Sequence, residues 1–183
     1  MKIKEEYILG KNNEQILCED RIFKGERFIS IIDGATSKDK KDFDGHSGGW
    51  QAARLVYEAL ENIEKNELFL EKNSEYDICE YIRKSFKPFY EKYSIDYETN
   101  PTQRVIASCV IYDSYSKKII MVGDCQSIVI NRDIETTILN DKEMDSVTSN
   151  ARSLYLQILI KSGKETVESL MEKDLGRKYI EPL

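Results

Sequence analysis

Acidic residues stand within or at the ends of three predicted strands in this chain of 183 residues. They are Glu19 with Asp20, Asp33 with Gly34, and Asp124 with Gly123. Aspartate is rare in strands, and a buried carboxylate costs free energy unless a cation or hydrogen bonds compensate it. Carboxylates that converge at one sheet edge repel each other, and a hard divalent cation relieves that repulsion. Because Mg²⁺ and Mn²⁺ prefer oxygen ligands, these residue types favour metal-dependent chemistry with activated water as nucleophile.

Other kinds of catalytic site find little support in the sequence. There is no phosphate-binding Gly-Lys-Ser/Thr loop, and His46 is the only histidine. None of the four cysteines forms a CxxC pair, so neither a structural zinc site nor a Cys/His nucleophile is expected. Each acidic pair also has a plainer interpretation, since Asp-Gly is a common hairpin turn and Glu19-Asp20 could lie on the solvated face of a strand.

The elements that must position these residues follow from hydrophobic periodicity. Alternating and β-branched runs predict two antiparallel meanders separated by a helical region. Strands are expected at residues 2–9, 15–23, 27–32, 105–112, 118–122, 127–131 and 135–139. Because these meanders are segregated in sequence from paired helices, we expect an α+β fold with helix pairs covering antiparallel sheets, not a parallel βαβ fold.

The helices are predicted from apolar residues at i, i+3 and i+4 spacing. One begins at Gly49 and a second runs over residues 75–93, with a kink at Pro88. Two more occupy the end of the chain, where Gly163 separates them and Gly176 is expected to stop the last.

Length and charge exclude several classes of protein. The 27 basic and 33 acidic residues leave a net charge of −6, which disfavours a nucleic-acid binder. No apolar run reaches the roughly 20 residues of a membrane span, and the N-terminus resembles no signal peptide. We therefore expect a single domain over residues 1–183, in the cytoplasm, with four reduced cysteines and without nucleic-acid or membrane partners.

The order of motifs resembles the PP2C-type (PPM) metal-dependent protein serine/threonine phosphatases. The first part of the resemblance is carried by Glu19-Asp20-Arg21, by Asp33-Gly34 after a hydrophobic strand, and by Gly48-Gly49-Trp50-Gln51-Ala52-Ala53 at the opening of a helix. The second part is carried by two paired strands, residues 107–111 and 120–127, in which Gly123-Asp124-Cys125-Gln126 resembles the family's Gly-Asp-Ser-Arg motif.

The resemblance implies an α-β-β-α sandwich of antiparallel sheets flanked by helix pairs. It implies hydrolysis of phosphoserine and phosphothreonine on a phosphoprotein substrate, with two or three Mg²⁺ or Mn²⁺ ions. By this resemblance, Glu19, Asp33 and the Gly34 carbonyl would hold metal, and Asp20 would hydrogen-bond metal waters. Asp124 would help to hold a further ion.

Three alternatives stay open at the level of sequence. Asp44-Gly45-His46 also resembles the family's Asp-Gly-His string, which would make His46 a proton donor. Asp33 is preferred because a β run precedes it, whereas a charged segment precedes Asp44. The family's phosphate-gripping arginine is Gln15 here, and Lys11 or Arg21 is the candidate replacement.

The third alternative concerns activity. The family's remaining metal aspartates lie in a second Asp-Gly and an Asp-Asn pair, and neither pair occurs after Gly45. We therefore expect a C-terminally truncated phosphatase domain. The alternative function is a catalytically silent domain with a protein-binding or regulatory role. Convergence of Glu19, Asp33 and Asp124 would favour the enzyme.

Overall fold

The computed structural model places residues in two compact units, Met1–Asn140 and Asp141–Leu183. Whether residues 1–183 form a single domain stays a prediction. The residues described below are 2–10, 14–35, 41–66, 69, 74–100, 103–132, 134–139, 143–173 and 175–180.

The first unit is built on a four-stranded antiparallel sheet in the order β1-β2-β3-β4. Its strands are β1 (Arg21–Lys24), β2 (Phe28–Ala35), β3 (Ile106–Asp113) and β4 (Lys118–Val122). Along β2, every second residue is buried, as expected for a strand with one face on the core. Asp33 lies on the more exposed face, and Gly34 lies on the core face.

Three helices accompany this sheet: α1 (Gly48–Glu64), α2 (Glu75–Ser85) and α3 (Lys87–Lys92). Helix α1 packs against β2 and β3, and α2 packs against α1. The predicted long helix over 75–93 is two helices, which divide at Phe86. Pro88 is accommodated in the first turn of α3, where a missing N–H costs no intrahelical hydrogen bond.

The N-terminal meander is smaller than predicted. Residues 2–9 form no strand, and the segment predicted as a strand over 15–23 begins with a short 3₁₀ turn, Gln15–Leu17, before β1. Residues 2–9 are mostly exposed, and their described contact is an ion pair between Glu6 and Lys24 of 2.9 Å. Alternation alone did not make a strand, because a strand needs a partner and a buried face.

A separate hairpin pairs β5 (Gln126–Asn131) with β6 (Ile134–Leu139). Both strands were predicted within one residue. The structure is therefore a mixed α/β fold with antiparallel sheets, while the specific sandwich arrangement stays a prediction.

The second unit contains α4 (Glu143–Lys161), α5 (Val167–Lys173) and α6 (Leu175–Ile180). Gly163 separates α4 from α5 with a φ of +69°, as predicted. The predicted stop at Gly176 is wrong, because this glycine lies inside α6. A Cβ there would come within 2.5 Å of Cγ of Arg152, so glycine permits close packing on α4. None of the described helices combines the length and the apolarity that crossing a membrane requires.

Candidate functional site

Glu19 lies beside the N-terminus of α1, although 28 residues separate it from the helix cap. Ser47 is the N-cap residue, and its Oγ accepts a hydrogen bond of 3.2 Å from the amide of Trp50. The same hydroxyl donates to Oε1 of Glu19. The first turn of α1 contains no acidic residue, so Glu19 supplies negative charge to the positive end of the helix dipole.

Two glycines allow β2 and α1 to meet at this point. A Cβ on Gly34 would lie 2.3 Å from the carbonyl oxygen of Gly49 and 2.6 Å from that of Glu19. A Cβ on Gly49 would lie 2.8 Å from each of three oxygens: Oε1 of Glu19 and the carbonyl oxygens of Gly34 and Ala35. The backbone of β2 and the Glu19 side chain therefore pack directly against the first turn of α1.

A Gly49→Ala substitution tests this close approach. In a helix this change ordinarily stabilises, by up to about 1 kcal/mol. Here we expect destabilisation by about 1–3 kcal/mol, because the new methyl group would overlap the Glu19 carboxylate and two carbonyl oxygens that the backbone of β2 holds in place. Urea unfolding measures the difference, and a variant as stable as the wild-type protein would contradict the packing of Gly34 on Gly49.

Asp33 and Asp20 lie at the neighbouring edge of the sheet. Strand β1 pairs Arg21 with Ile32, and Asp20 and Asp33 are the next residues outward on each strand. The carboxylate of Asp20 accepts a long hydrogen bond of 3.8 Å from the Cys18 thiol. Asp20, directly before β1, thus lies next to Asp33, which stands inside β2.

Ser108 connects Asp33 with Asp124. On β3 it is the direct cross-strand partner of Asp33, and paired residues share a face. Its hydroxyl donates a hydrogen bond of 2.5 Å to Oδ1 of Asp124. Gly123 permits this contact, because it has a φ of +85° and a Cβ there would lie 2.2 Å from Oγ of Ser108.

Asp44, the alternative to Asp33 as the metal-binding aspartate, lies in a turn before α1 and has a structural role there. Asp44 and Gly45 have φ values of +57° and +84° and link the bridged residues Phe43 and His46, so this Asp-Gly is a tight hairpin turn. Its carboxylate accepts hydrogen bonds from Lys92 Nζ at 2.7 Å and from the Tyr93 hydroxyl. These hydrogen bonds lower the pKa of Asp44 and join the turn to the end of α3.

His46 and Arg21 both pack on Trp50. The His46 ring stacks on the indole with centroids 3.6 Å apart, and the Arg21 guanidinium lies 4.5 Å from the ring centroid. Burial, followed by the charge of Arg54, lowers the pKa of Arg21. Arg21 therefore contacts α1. Lys11, the other candidate to replace the family's phosphate-gripping arginine, lies outside the described residues.

Two pockets of about 630 and 620 Å³ open on the first unit. The first is lined by residues around Arg27 and Tyr57, and the second by residues around His46 and Lys92. Neither lining includes Glu19, Asp33 or Asp124. Glu19 and Gly34 instead lie where β2 packs against the start of α1.

Oε1 of Glu19 and the carbonyl oxygen of Gly34 are oxygens of the kind that a hard cation takes as ligands. Within the described part of the chain, no three His, Cys, Asp or Glu side chains converge closely enough to hold a metal ion. Mg²⁺, however, usually keeps several waters and takes only one or two protein carboxylates. Glu19 Oε1 and the Gly34 carbonyl oxygen supply two such ligands, whereas the carboxylates of Glu19, Asp33 and Asp124 do not converge as a group of three in the described structure.

Sequence reasoning missed three residues that build this site: Ser47, Gly49 as a contact residue, and Ser108. A serine directly before a helix is a recognisable N-cap signal, so Ser47 could have been found. Ser108 could not, because only the β2–β3 register places it opposite Asp33.

The sequence matches no protein-family model and no curated protein. Its structure is similar to the crystal structure of the serine/threonine phosphatase PstP/Ppp from Mycobacterium tuberculosis, with 18% sequence identity and a TM-score of 0.44. The match covers 82% of this chain and 55% of that one, so the chain spans just over half the length of the solved structure.

Proposed function

We propose that this protein is a metal-dependent phosphatase that hydrolyses phosphoserine and phosphothreonine on proteins. The observation that carries the proposal is that Oε1 of Glu19 and the Gly34 carbonyl oxygen both lie against Gly49, each 2.8 Å from where its Cβ would be. These are two of the oxygens that the sequence resemblance assigns to metal binding. The order of the motifs along the chain, on which that resemblance rests, supports the same proposal.

In this proposal, each residue has a distinct task. Glu19, the Gly34 carbonyl and Asp33 hold Mg²⁺ or Mn²⁺, and Asp124, positioned by Ser108, contributes to a further ion. Asp20 orients water at the sheet edge. A bound divalent cation would provide a water nucleophile at neutral pH and neutralise charge on the phosphoryl group. His46 is the candidate proton donor that the alternative Asp44-Gly45-His46 resemblance offers, and its ring stacks on Trp50.

The first experiment measures release of p-nitrophenol from p-nitrophenyl phosphate by the full chain. We expect release that depends on Mn²⁺ or Mg²⁺ and stops when EDTA is added. A synthetic phosphothreonine peptide then tests the proposed substrate class. A folded protein that shows no metal-dependent release with either substrate would contradict the proposal.

Calorimetry separates this function from the alternative. A catalytically silent domain without a working site should take up no Mn²⁺ at millimolar concentration, whereas the proposed enzyme should bind it. Uptake without hydrolysis would indicate a metal-binding domain with a regulatory role.

A further inference from the structure

We propose that Ser47 is a positioning residue for Glu19 and that it sets the divalent-cation affinity of the site. This inference rests on the proposed function, because Glu19 matters to affinity only if it binds the ion. Ser47 is half-buried at the start of α1, and Glu19 is half-buried before β1. One hydrogen bond therefore joins two elements that are distant in sequence.

The orientation of the Ser47 hydroxyl follows from its two partners. A serine hydroxyl has one proton to donate and lone pairs to accept. Its oxygen accepts the Trp50 amide hydrogen at 3.2 Å, and a carboxylate can only accept. The single proton of Ser47 therefore points to Oε1 of Glu19.

Three features act together on the same carboxylate oxygen. The Ser47 hydroxyl donates to it, the positive end of the α1 dipole attracts it, and Gly49 leaves room for it. A glutamate side chain otherwise has several rotamers, and ordering it costs up to about 2 kcal/mol. Because Ser47 keeps the side chain ordered before a cation arrives, cation binding does not bear the whole of that cost.

The consequence is a measurable effect on affinity. Hydrogen-bonding partners of metal ligands typically contribute about 10–100-fold to metal affinity. Isothermal titration calorimetry of the full chain with MnCl₂ should show a Kd at least about tenfold higher for Ser47→Ala than for the wild-type protein. Ser47→Thr keeps the hydroxyl and should restore most of the affinity.

Loss of the helix cap must be separated from loss of positioning. Ser47→Gly removes the hydroxyl but costs the cap only a few tenths of a kcal/mol, so this variant should fold normally and still bind Mn²⁺ weakly. Ser74→Ala is a matched control. Ser74 caps α2 and its hydroxyl donates to a carboxylate, that of Asp77 at 2.8 Å. This substitution should leave the Mn²⁺ affinity unchanged.

The outcomes distinguish the two proposals. Weak binding by Ser47→Ala and Ser47→Gly, with recovery in Ser47→Thr and no change in Ser74→Ala, supports positioning. Equal binding by the wild-type protein and Ser47→Ala overturns the role of Ser47 and leaves the proposed function standing. An equal loss in Ser74→Ala overturns it as well, because the effect would then be general. No Mn²⁺ binding by the wild-type protein overturns both.

Discussion

Replacing Asp33 with alanine should lower the Mn²⁺-dependent release of p-nitrophenol at least about 100-fold, the upper end of the effects seen when metal sites lose a supporting group. Asp33 lies next to Gly34, whose carbonyl oxygen adjoins Glu19, so the substitution removes an anionic ligand from the proposed centre. Asp33 is also exposed. The free energy of unfolding should therefore change by no more than about 0.5 kcal/mol, which urea denaturation can verify.

Asp44→Ala is the matched control, since it removes an aspartate from the second Asp-Gly pair. In the wild-type protein the Asp44 carboxylate accepts hydrogen bonds from Lys92 and Tyr93. Asp44→Ala should therefore release p-nitrophenol at a rate near that of the wild-type protein. The same pair of variants should differ in calorimetry, with Mn²⁺ binding lost only in Asp33→Ala. The reverse pattern would show that Asp44 is the metal ligand and that the choice of Asp33 is wrong.

The second large effect concerns a buried ion pair that holds the far end of the same sheet. Asp113, at the end of β3, is 1% exposed, and its oxygens accept hydrogen bonds from Arg27 Nε at 3.0 Å and Nη2 at 2.7 Å. The amides of Tyr115 and Ser116 also donate to it. Asp113→Ala would leave the Arg27 guanidinium without its carboxylate partner. We expect the free energy of unfolding to fall by about 3–5 kcal/mol.

The ion pair of Arg27 and Asp113 also makes the free energy of unfolding depend on pH. Burial alone would raise the pKa of Asp113, but the hydrogen bonds from Arg27, Tyr115 and Ser116 lower it to about 2. An unfolded aspartate titrates near about 3.9. Because the folded pKa is the lower one, the ionised carboxylate stabilises the fold above about pH 4, by about 2–3 kcal/mol. That stabilisation is lost as the pH falls toward about 2.

Urea unfolding at several pH values between neutrality and pH 2 measures this effect. The wild-type protein should lose more stability over that range than Asp113→Ala does. Glu91→Ala is the control, because Glu91 and Lys87 form an exposed ion pair of 3.9 Å. Its removal should cost less than about 1 kcal/mol at any pH. Equal acid sensitivity of the wild-type protein and Asp113→Ala would show that Asp113 is not the titrating group.

Local patterns predicted most of the secondary structure. Strands β2 to β6 lie within a few residues of their predicted positions, because alternation and β-branched residues match a pleated surface with one buried face. The start of α1 was also predicted to within one residue, at Gly49, from the apolar residues that follow at helical spacing. Residues 2–9 alternate in the same way but form no strand, since a strand also requires a pairing partner that the local pattern does not reveal.

The two Asp-Gly pairs show what a local sequence pattern does not decide. In sequence, each could be a hairpin turn or the end of a strand. Asp44-Gly45 is the turn, with positive φ at both residues, whereas Asp33-Gly34 stays within β2. The run of β-forming residues over 28–32 already favoured Asp33-Gly34 as the pair that belongs to a strand. In the structure β2 pairs with β3 as far as Ala35, so Asp33 and Gly34 both lie inside the strand.

The sequence by itself determined which residue types could bind a cation and roughly where along the chain they stand. Only the tertiary structure decided which of them meet. Glu19 reaches Gly34 and Ser47 because two glycines let β2 and α1 approach within a few ångströms, and Asp124 reaches the neighbourhood of Asp33 through Ser108. The physical reason is that periodicity encodes local conformation and burial, whereas strand register and helix docking depend on contacts between distant segments.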